Sequence, residues 1–421
     1  MHTPRLVPAL VALAFSGSAA ASGFQLLEQN ASGLANSYDG SAAIADNAST
    51  IFFNPAGMTK LQAREFSLGL NAVRPSFEFS DRGSVWTPVA NTGTSTGDAG
   101  DWAYVPNGYL SWALNKDLYV GVGFSAPFGL STEYDPTWVG QFQAIKFDIK
   151  TYNINPSIAY RVNDKLSVGF GINWQRLEAE YVRQAAVVLP TVRIKLSLED
   201  DSWGWNAGLL YEVSPTTRVG VSYRSAIKHT VEGDLASSNL VLSSKARAGI
   251  ELPDTLILSA VQKLNDKWTM VGDLSWTGWS SIPKVDIVRT TAALAPGNPA
   301  GSIAQTLETQ FRDTWRVAFG GIYQYSGNLD LKFGIAYDQT PVKSAELRLV
   351  SLPDNDRVWF SAGAQWKFSK DAKLDLGAAY LYVRDTDIDN NQSAAPSFRG
   401  RVTGTYDSNV WILGAQYSRS F

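Results

Sequence analysis

The chain of 421 residues has a formal net charge of −3, no cysteine and two histidines, with 45% hydrophobic and 12% aromatic residues. That composition is too apolar and aromatic for disorder, and its slight negative charge argues against nucleic acid as the main partner. Zero cysteine excludes a disulfide scaffold, thiolate metal sites and thiol catalysis, and a histidine inventory of His2 and His229 excludes most metal hydrolases and His-based acid–base machinery.

Residues 1–21 begin with His2 and Arg5, pass through an apolar stretch from Leu6 to Phe15 and end on Ala19-Ala20-Ala21. This is the layout of a secretory signal peptide, with cleavage expected after Ala21; the apolar run is too short for a membrane anchor. Residues 22–64 do not alternate cleanly, are rich in Ala, Gly, Ser and Asn, and carry only a short helical suggestion around Ala42–Asp46. Beyond residue 21 no apolar run reaches 18 residues, so no transmembrane helix is expected.

From residue 65 onward the pattern has period two. Leu329, Leu331, Phe333, Ile335 and Tyr337 alternate with polar or small residues, as do Val358 to Phe368 and Leu374 to Tyr382. Each such row is a strand with one apolar face. Six short polar turns punctuate the strands: Asn115-Lys116-Asp117, Asn163-Asp164, Ser214-Pro215-Thr216, Asn265-Asp266, Ser326-Gly327-Asn328 and Ser369-Lys370-Asp371. Between and around them lie seven long polar connections, near 81–101, 130–149, 184–201, 233–250, 285–312, 340–355 and 384–401. Seven long loops alternating with six short turns join fourteen strands, and this asymmetry is the pattern of an outer-membrane barrel over 65–421. An even strand count puts both ends of the barrel on the periplasmic, short-turn side. The last strand places Trp411, Leu413, Ala415, Tyr417 and Phe421 on one parity, resembling the signal read by the barrel-insertion machinery of Gram-negative bacteria. Residues 22–64 then either trail into the periplasm or fold up into the lumen, where small residues and amides suit a polar interior.

Gly23-Phe24-Gln25-Leu26, Ser32-Gly33-Leu34, Ala43-Ile44-Ala45-Asp46 and Asn54-Pro55-Ala56 resemble the N-terminal hatch of the FadL family, the outer-membrane channels for long-chain fatty acids and other hydrophobic compounds. Pro127-Phe128-Gly129-Leu130 with Thr132-Glu133-Tyr134, Gly204-Trp205-Asn206-Ala207-Gly208, and Leu352-Pro353-Asp354 with Asp356-Arg357 extend the resemblance over the whole chain after residue 21. It implies an all-β, 14-stranded antiparallel transmembrane barrel with a small hatch at 22–64, in the Gram-negative outer membrane. The implied function is passive uptake of long-chain fatty acid. Uptake of neutral compounds such as monoaromatic hydrocarbons or alkanes is the alternative, and a surface receptor or adhesin without transport is a further one.

Site residues follow from the same reading. Segment 184–198 is unusually apolar for an extracellular loop. The resemblance makes it a capture groove, with Val188, Leu189, Ile194 and Leu196 as ligand contacts and Phe24 as another. Arg183 matches a family position where an arginine meets the ligand carboxylate, a task for which a guanidinium fork is suited; an ordinary rim arginine paired with a loop acid is the other reading. A second family basic residue falls on Leu307, which leaves neutral hydrocarbons open. Pro127, Phe128 and Gly129 should interrupt the ladder of strand three, where the family has a lateral opening. Asn54, Pro55 and Ala56 would form part of the moving hatch. Gly121/Gly123 and Gly169/Gly171 read as strand positions facing a crowded interior. Asp385, Asp387, Asp389 and Asn391 begin like a calcium loop but continue with Asn390 and Pro396, and with Glu199-Asp200-Asp201 they read as solvated loop acids near lipopolysaccharide. His229 reads as a polar residue at the barrel rim. No metal, cofactor or catalytic residue is expected, and the protein is expected to be a monomer.

Overall fold

A computed structural model describes residues 23–86, 93–185, 191–394 and 398–421. The expected signal peptide, Val188 and Leu189 lie outside the described residues. Fourteen strands close into one antiparallel barrel: β1 Arg64–Asp81, β2 Ala103–Ala113, β3 Leu118–Ser125, β4 Lys146–Arg161, β5 Leu166–Ala185, β6 Val192–Ser214, β7 Thr217–Arg224, β8 Thr255–Lys263, β9 Trp268–Thr277, β10 Thr314–Ser326, β11 Leu329–Asp338, β12 Arg357–Lys367, β13 Ala372–Val383 and β14 Arg401–Ser420. Each pairs with its sequence neighbour, and β14 closes on β1 from Glu65↔Ser420 to Asp81↔Gly404. Apart from one interruption beside β3, closure leaves no free sheet edge, the condition for strands to cross hydrocarbon.

All six short turns lie at one end and all seven long connections at the other. Outward positions carry exposed apolar side chains such as Leu68, Ile158, Val317 and Ile335. Trp112, Tyr160, Trp268 and Trp366 ring the short-turn end, and Tyr104, Trp315, Tyr337 and Tyr382 ring the other. An apolar band between two aromatic girdles is what a bilayer with two polar interfaces selects. The described residues of segment 184–198, namely 184–185 and 191–198, are not a free loop. β5 and β6, of 20 and 23 residues, continue past the membrane as one paired hairpin, so Ile194 and Leu196 are strand residues facing inward. Two further hairpins, Ile227–Ser237 with Ser244–Leu252 and Lys284–Arg289 with Ile303–Glu308, extend this wall outward.

Residues 23–61 sit inside the barrel. The helical suggestion at 42–46 is not realised: that stretch is turn and irregular chain, and the short helices are Ala31–Leu34 and Thr50–Phe53, followed by a 3-10 turn at Pro55–Lys60. Asn54 explains its motif. Its Oδ1 caps Ala56 N–H (3.1 Å) with Pro55 at the first helical position, while its Nδ2 donates to Ala42 O (2.7 Å) and to Leu209 O on β6 (3.0 Å). Hydrogen bonds reach the wall on every side: Ser37 to Ser361, Ala42 to Ser259, Thr59 to Ser167, Ala31 to Gln416, Asn71 to Glu28 and Tyr109 to Gln29. Glycines in the strands make room for it. A Cβ on Gly169 would strike the Ala56 backbone, one on Gly208 would strike Asn54 Oδ1, and one on Gly121 would lie 2.6 Å from Ile51.

One anchor is ionic. Lys332 on β11, 3% exposed, lies 3.4 Å from both Asp46 of the inner segment and Asp375 of β13, and donates to Ser32 Oγ at 2.7 Å. Lys332→Met would leave buried Asp375 without its cation, at a cost of about 3 kcal/mol. Amide exchange over residues 31–46 is expected to accelerate about 100-fold, which mass spectrometry of the folded barrel would read; unchanged exchange would mean the ion pair does not anchor this segment.

Candidate functional site

The described wall is broken at one place. β3 stops at Ser125, Pro127 has no N–H to donate, and pairing with β4 resumes only over Gly129–Glu133. On the other side, β2 and β3 separate beyond Gly108↔Phe124, so Ala103–Asn107 pairs with β1 alone among the described residues. Among the described residues an opening in the strand pairing therefore lies between upper β2 and the Gly129–Glu133 strand, bounded above by Glu133 N–H on Ala99 O (3.0 Å). Pro127, Phe128 and Gly129 form its inner edge.

The backbone groups freed there are satisfied from two sources. Thr151 donates N–H and Oγ1 to Phe128 O and accepts Phe128 N–H at 2.9 Å. Residues 24–26 add themselves as a short antiparallel strand: Leu26 N–H donates to Pro127 O (2.8 Å) and Gly129 N–H donates to Phe24 O (2.9 Å), around the pair Gln25↔Phe128. The start of the inner segment and the edge of the opening are thus one piece of sheet. Gly23 N–H is held by Asp354 Oδ2 (3.0 Å), itself fixed by Thr340 Oγ1 (2.6 Å) and an ion pair to Arg357. Gly23 must be glycine twice over: its φ is +64°, and a Cβ would lie 2.7 Å from Trp279.

Above this junction is a narrow, almost wholly apolar cavity of about 90 Å³. Leu177 and Tyr181 of β5, Leu196 of β6, Ile287 and Leu307 of the third hairpin, and Leu352 line its walls, with Phe24 and Phe311 below. Phe24 meets Trp279 edge-on at 4.9 Å and lies 5.9 Å from Phe128, so an aromatic knot separates this cavity from the opening. A second cavity, about 50 Å³, lies past the knot and is lined by Leu26, Phe52, Pro127, Phe128, Arg224 and Arg316 among others.

Three arginines crown the first cavity. Arg183, Arg289 and Arg399 are 9%, 4% and 6% exposed. Along their strands Arg183 stands two residues above Tyr181, Arg289 two above Ile287, and Gln305 two above Leu307, so the apolar face gives way to polar side chains at the upper end of each strand, with Gln305 level with Ile287 and one step below Arg289. Arg183 Nε donates to Gln305 Oε1 (2.9 Å), and Arg289 donates to Leu242 O (2.9 Å) and Ser244 Oγ (2.8 Å). Burial pushes the Arg289 and Arg399 guanidiniums below their usual range. Gly400 O, next to Arg399, accepts from Gln143 Nε2 (3.2 Å), and Gln143 O accepts from Tyr181 Oη, two residues from Arg183; among the described residues no carboxylate forms an ion pair with any of the three arginines. The rim-arginine reading of Arg183 required a loop acid, and no described acid pairs with it. Sequence reading missed Arg289 and Arg399; the period-two step past an apolar row was the signal for Arg289, whereas Arg399 reaches the site from a loop.

The remaining sequence candidates do not join the site. Ile194, opposite Arg183 in register, is buried in the wall. His229 is not at the rim: it is 2% exposed in the second hairpin, between Asp200 Oδ2 (3.0 Å) and Gln175 Oε1 (3.1 Å), and burial outweighs Asp200 in lowering its pKa. Asp387 and Asp389 pair with Arg82 and Arg401, and no metal-binding acid group occurs among the described residues.

The family model for outer membrane transport proteins (OMPP1/FadL/TodX) matches residues 12–421. The long-chain fatty acid transport protein of Escherichia coli O6:H1 is 29% identical, covering 100% of this chain and 99% of its own. Outer membrane protein P1 of Haemophilus influenzae strain Rd is 30% identical, covering 96% of each. The crystal structure of a Pseudomonas aeruginosa FadL homologue superposes with a TM-score of 0.85 at 21% identity, covering 95% of this chain and 100% of that one. The Pseudomonas putida toluene transporter TodX superposes with a TM-score of 0.70 at 18% identity, covering 95% and 100%.

Gln25 and Phe128 face each other as a pair not bonded to one another, for which Cα atoms lie about 4.5 Å apart, within disulfide range. Because the chain has no cysteine, Gln25→Cys with Phe128→Cys creates its sole thiol pair. The pair is expected to oxidise readily and to cut uptake of hydrophobic substrate at least ~10-fold, with recovery on reduction. Equal uptake by oxidised and reduced protein would show that residues 24–26 need not leave the opening.

Proposed function

The chain belongs to the FadL family of outer-membrane transport proteins, and from that premise we propose that it takes up long-chain fatty acids by passive, ligand-gated diffusion through the barrel wall. Members of the family are transport channels for hydrophobic compounds in the Gram-negative outer membrane, not enzymes. The observation that carries the choice of fatty acid is the crown of buried arginines without a carboxylate over a nearly wholly apolar cavity. An acyl chain gains roughly 0.8 kcal/mol per buried methylene, and its carboxylate meets a guanidinium fork left without an acid. Toluene or an alkane would fill the same cavity and leave all three cations without an anion.

The route follows from what touches what. Exposed Leu240, Leu294 and Ile303 at the tips of the outer hairpins offer a first apolar contact, and the two tips are tied by Ala295 N–H on Val241 O (2.8 Å). Ligand enters the cavity with its head at Arg183 and its tail against Leu196 and Phe24. A tail long enough to reach the floor displaces Phe24, and Phe24 cannot move without disturbing its carbonyl bond to Gly129 and the neighbouring Leu26–Pro127 bond. Loss of that short strand clears the inner edge of the opening. Asn54, Pro55 and Ala56, expected from the resemblance to move with the hatch, are held by the Asn54 bonds to Ala42 O and Leu209 O, which supports a displacement that begins at the start of the segment. The molecule passes by the second cavity to the bilayer without returning to water, which would forfeit on the order of 10 kcal/mol for a long chain.

Arg183→Gln is expected to weaken oleate binding ~10- to 100-fold, the worth of one charge-assisted hydrogen bond, and to leave oleyl alcohol binding unchanged. Uptake assays in cells lacking their own channel, with toluene as competitor, complete the test. Oleate uptake that is indifferent to Arg183→Gln but abolished by toluene would replace fatty acid with neutral hydrocarbon as the substrate.

A further inference from the structure

The crown holds more positive charge and more idle donors than one carboxylate can use. Three guanidiniums are buried there without an acid partner, and three nitrogens (Arg289 Nε, Arg399 Nε and Gln305 Nε2) are buried with no hydrogen-bond acceptor among the described residues. A buried donor costs free energy until an acceptor reaches it, so Arg289 Nε, Arg399 Nε and Gln305 Nε2 suit a ligand with acceptors to spare. A carboxylate brings one negative charge and two oxygens. It can take a bidentate fork from Arg183 and would leave two cations uncompensated.

We propose that the arginine crown also takes single-chain amphiphiles whose head is a phosphate monoester, the head seated among Arg183, Arg289 and Arg399 and the chain in the apolar cavity. This rests on the reading of Arg183 as the head-group contact. A phosphate monoester carries about −1.5 to −2 charge near neutral pH and three strongly accepting terminal oxygens, which matches both the surplus charge and the idle donors. Planar guanidiniums suit phosphate as they suit carboxylate, and several can share it because its oxygens point tetrahedrally outward. The crown faces the extracellular hairpins, so such a ligand reaches it from outside with its tail leading into the cavity.

The test uses the whole protein in nanodiscs of neutral lipid, free of detergent, and measures binding of dodecyl phosphate, dodecanoate and 1-dodecanol. Dodecyl phosphate is expected to bind at least ~10-fold more tightly than dodecanoate, an excess one additional charge-assisted hydrogen bond can supply. Arg289→Gln or Arg399→Gln should erase most of that excess while leaving 1-dodecanol binding as it was, which certifies an intact barrel and cavity. Equal affinity for phosphate and carboxylate, with dodecanoate still weakened by Arg183→Gln, overturns this inference alone. If neither anion binds better than 1-dodecanol and Arg183→Gln changes nothing, the fatty-acid reading falls with it.

Discussion

Hydrocarbon offers a peptide group no hydrogen-bond partner, and most of this structure is a consequence of that one constraint. It demands that the fourteen strands close on one another, which fixes the barrel. It also makes any break in the wall expensive, so the break at Pro127 exists only because Thr151 and residues 24–26 take over its orphaned groups. A plain porin wall would have no use for such a repair. Here the repair is made by the very segment that forms the floor of the apolar cavity, so the covering of the opening and the occupancy of the cavity share atoms.

This sharing gives the uptake route a physical logic. Phe24 offers its ring to the cavity and its carbonyl to Gly129, and Gly23 is tied to Asp354 on the opposite wall. The start of the inner segment is held by a handful of hydrogen bonds, each worth about 1 kcal/mol net. Farther along, the Lys332 ion network, Asn54 and the glycine-lined contacts hold the rest much more firmly. In the proposed uptake route, a ligand that recovers several kilocalories from methylene burial displaces the first few residues while the remainder stays in the lumen.

The arginine crown is the opposite kind of feature. Burying three guanidiniums without acids costs several kcal/mol each in lost hydration, and nothing in the described fold requires it. Elsewhere buried Lys332 has Asp46 and Asp375 and Arg357 has Asp354, while buried Arg316 and Arg348 donate to backbone carbonyls. In the proposed function the counter-charge of the crown arrives with the ligand.

The strand count, the sidedness of the turns and the apolar outer faces were legible in the sequence, because each is a local property: period two or a tight turn. Segment 184–198 was misjudged because an apolar run cannot tell a loop from a strand whose inner face lines a cavity. His229 was misplaced because hairpins that continue beyond the membrane carry no mark of where the membrane stops. The sequence by itself determined a closed transmembrane barrel and the chemistry available to it. Only the tertiary structure decided that residues 24–26 complete the sheet at the opening, and that arginines from β5, an outer hairpin and a loop meet without an acid. Those are contacts between residues more than a hundred positions apart, brought together by barrel closure, and no local pattern encodes them.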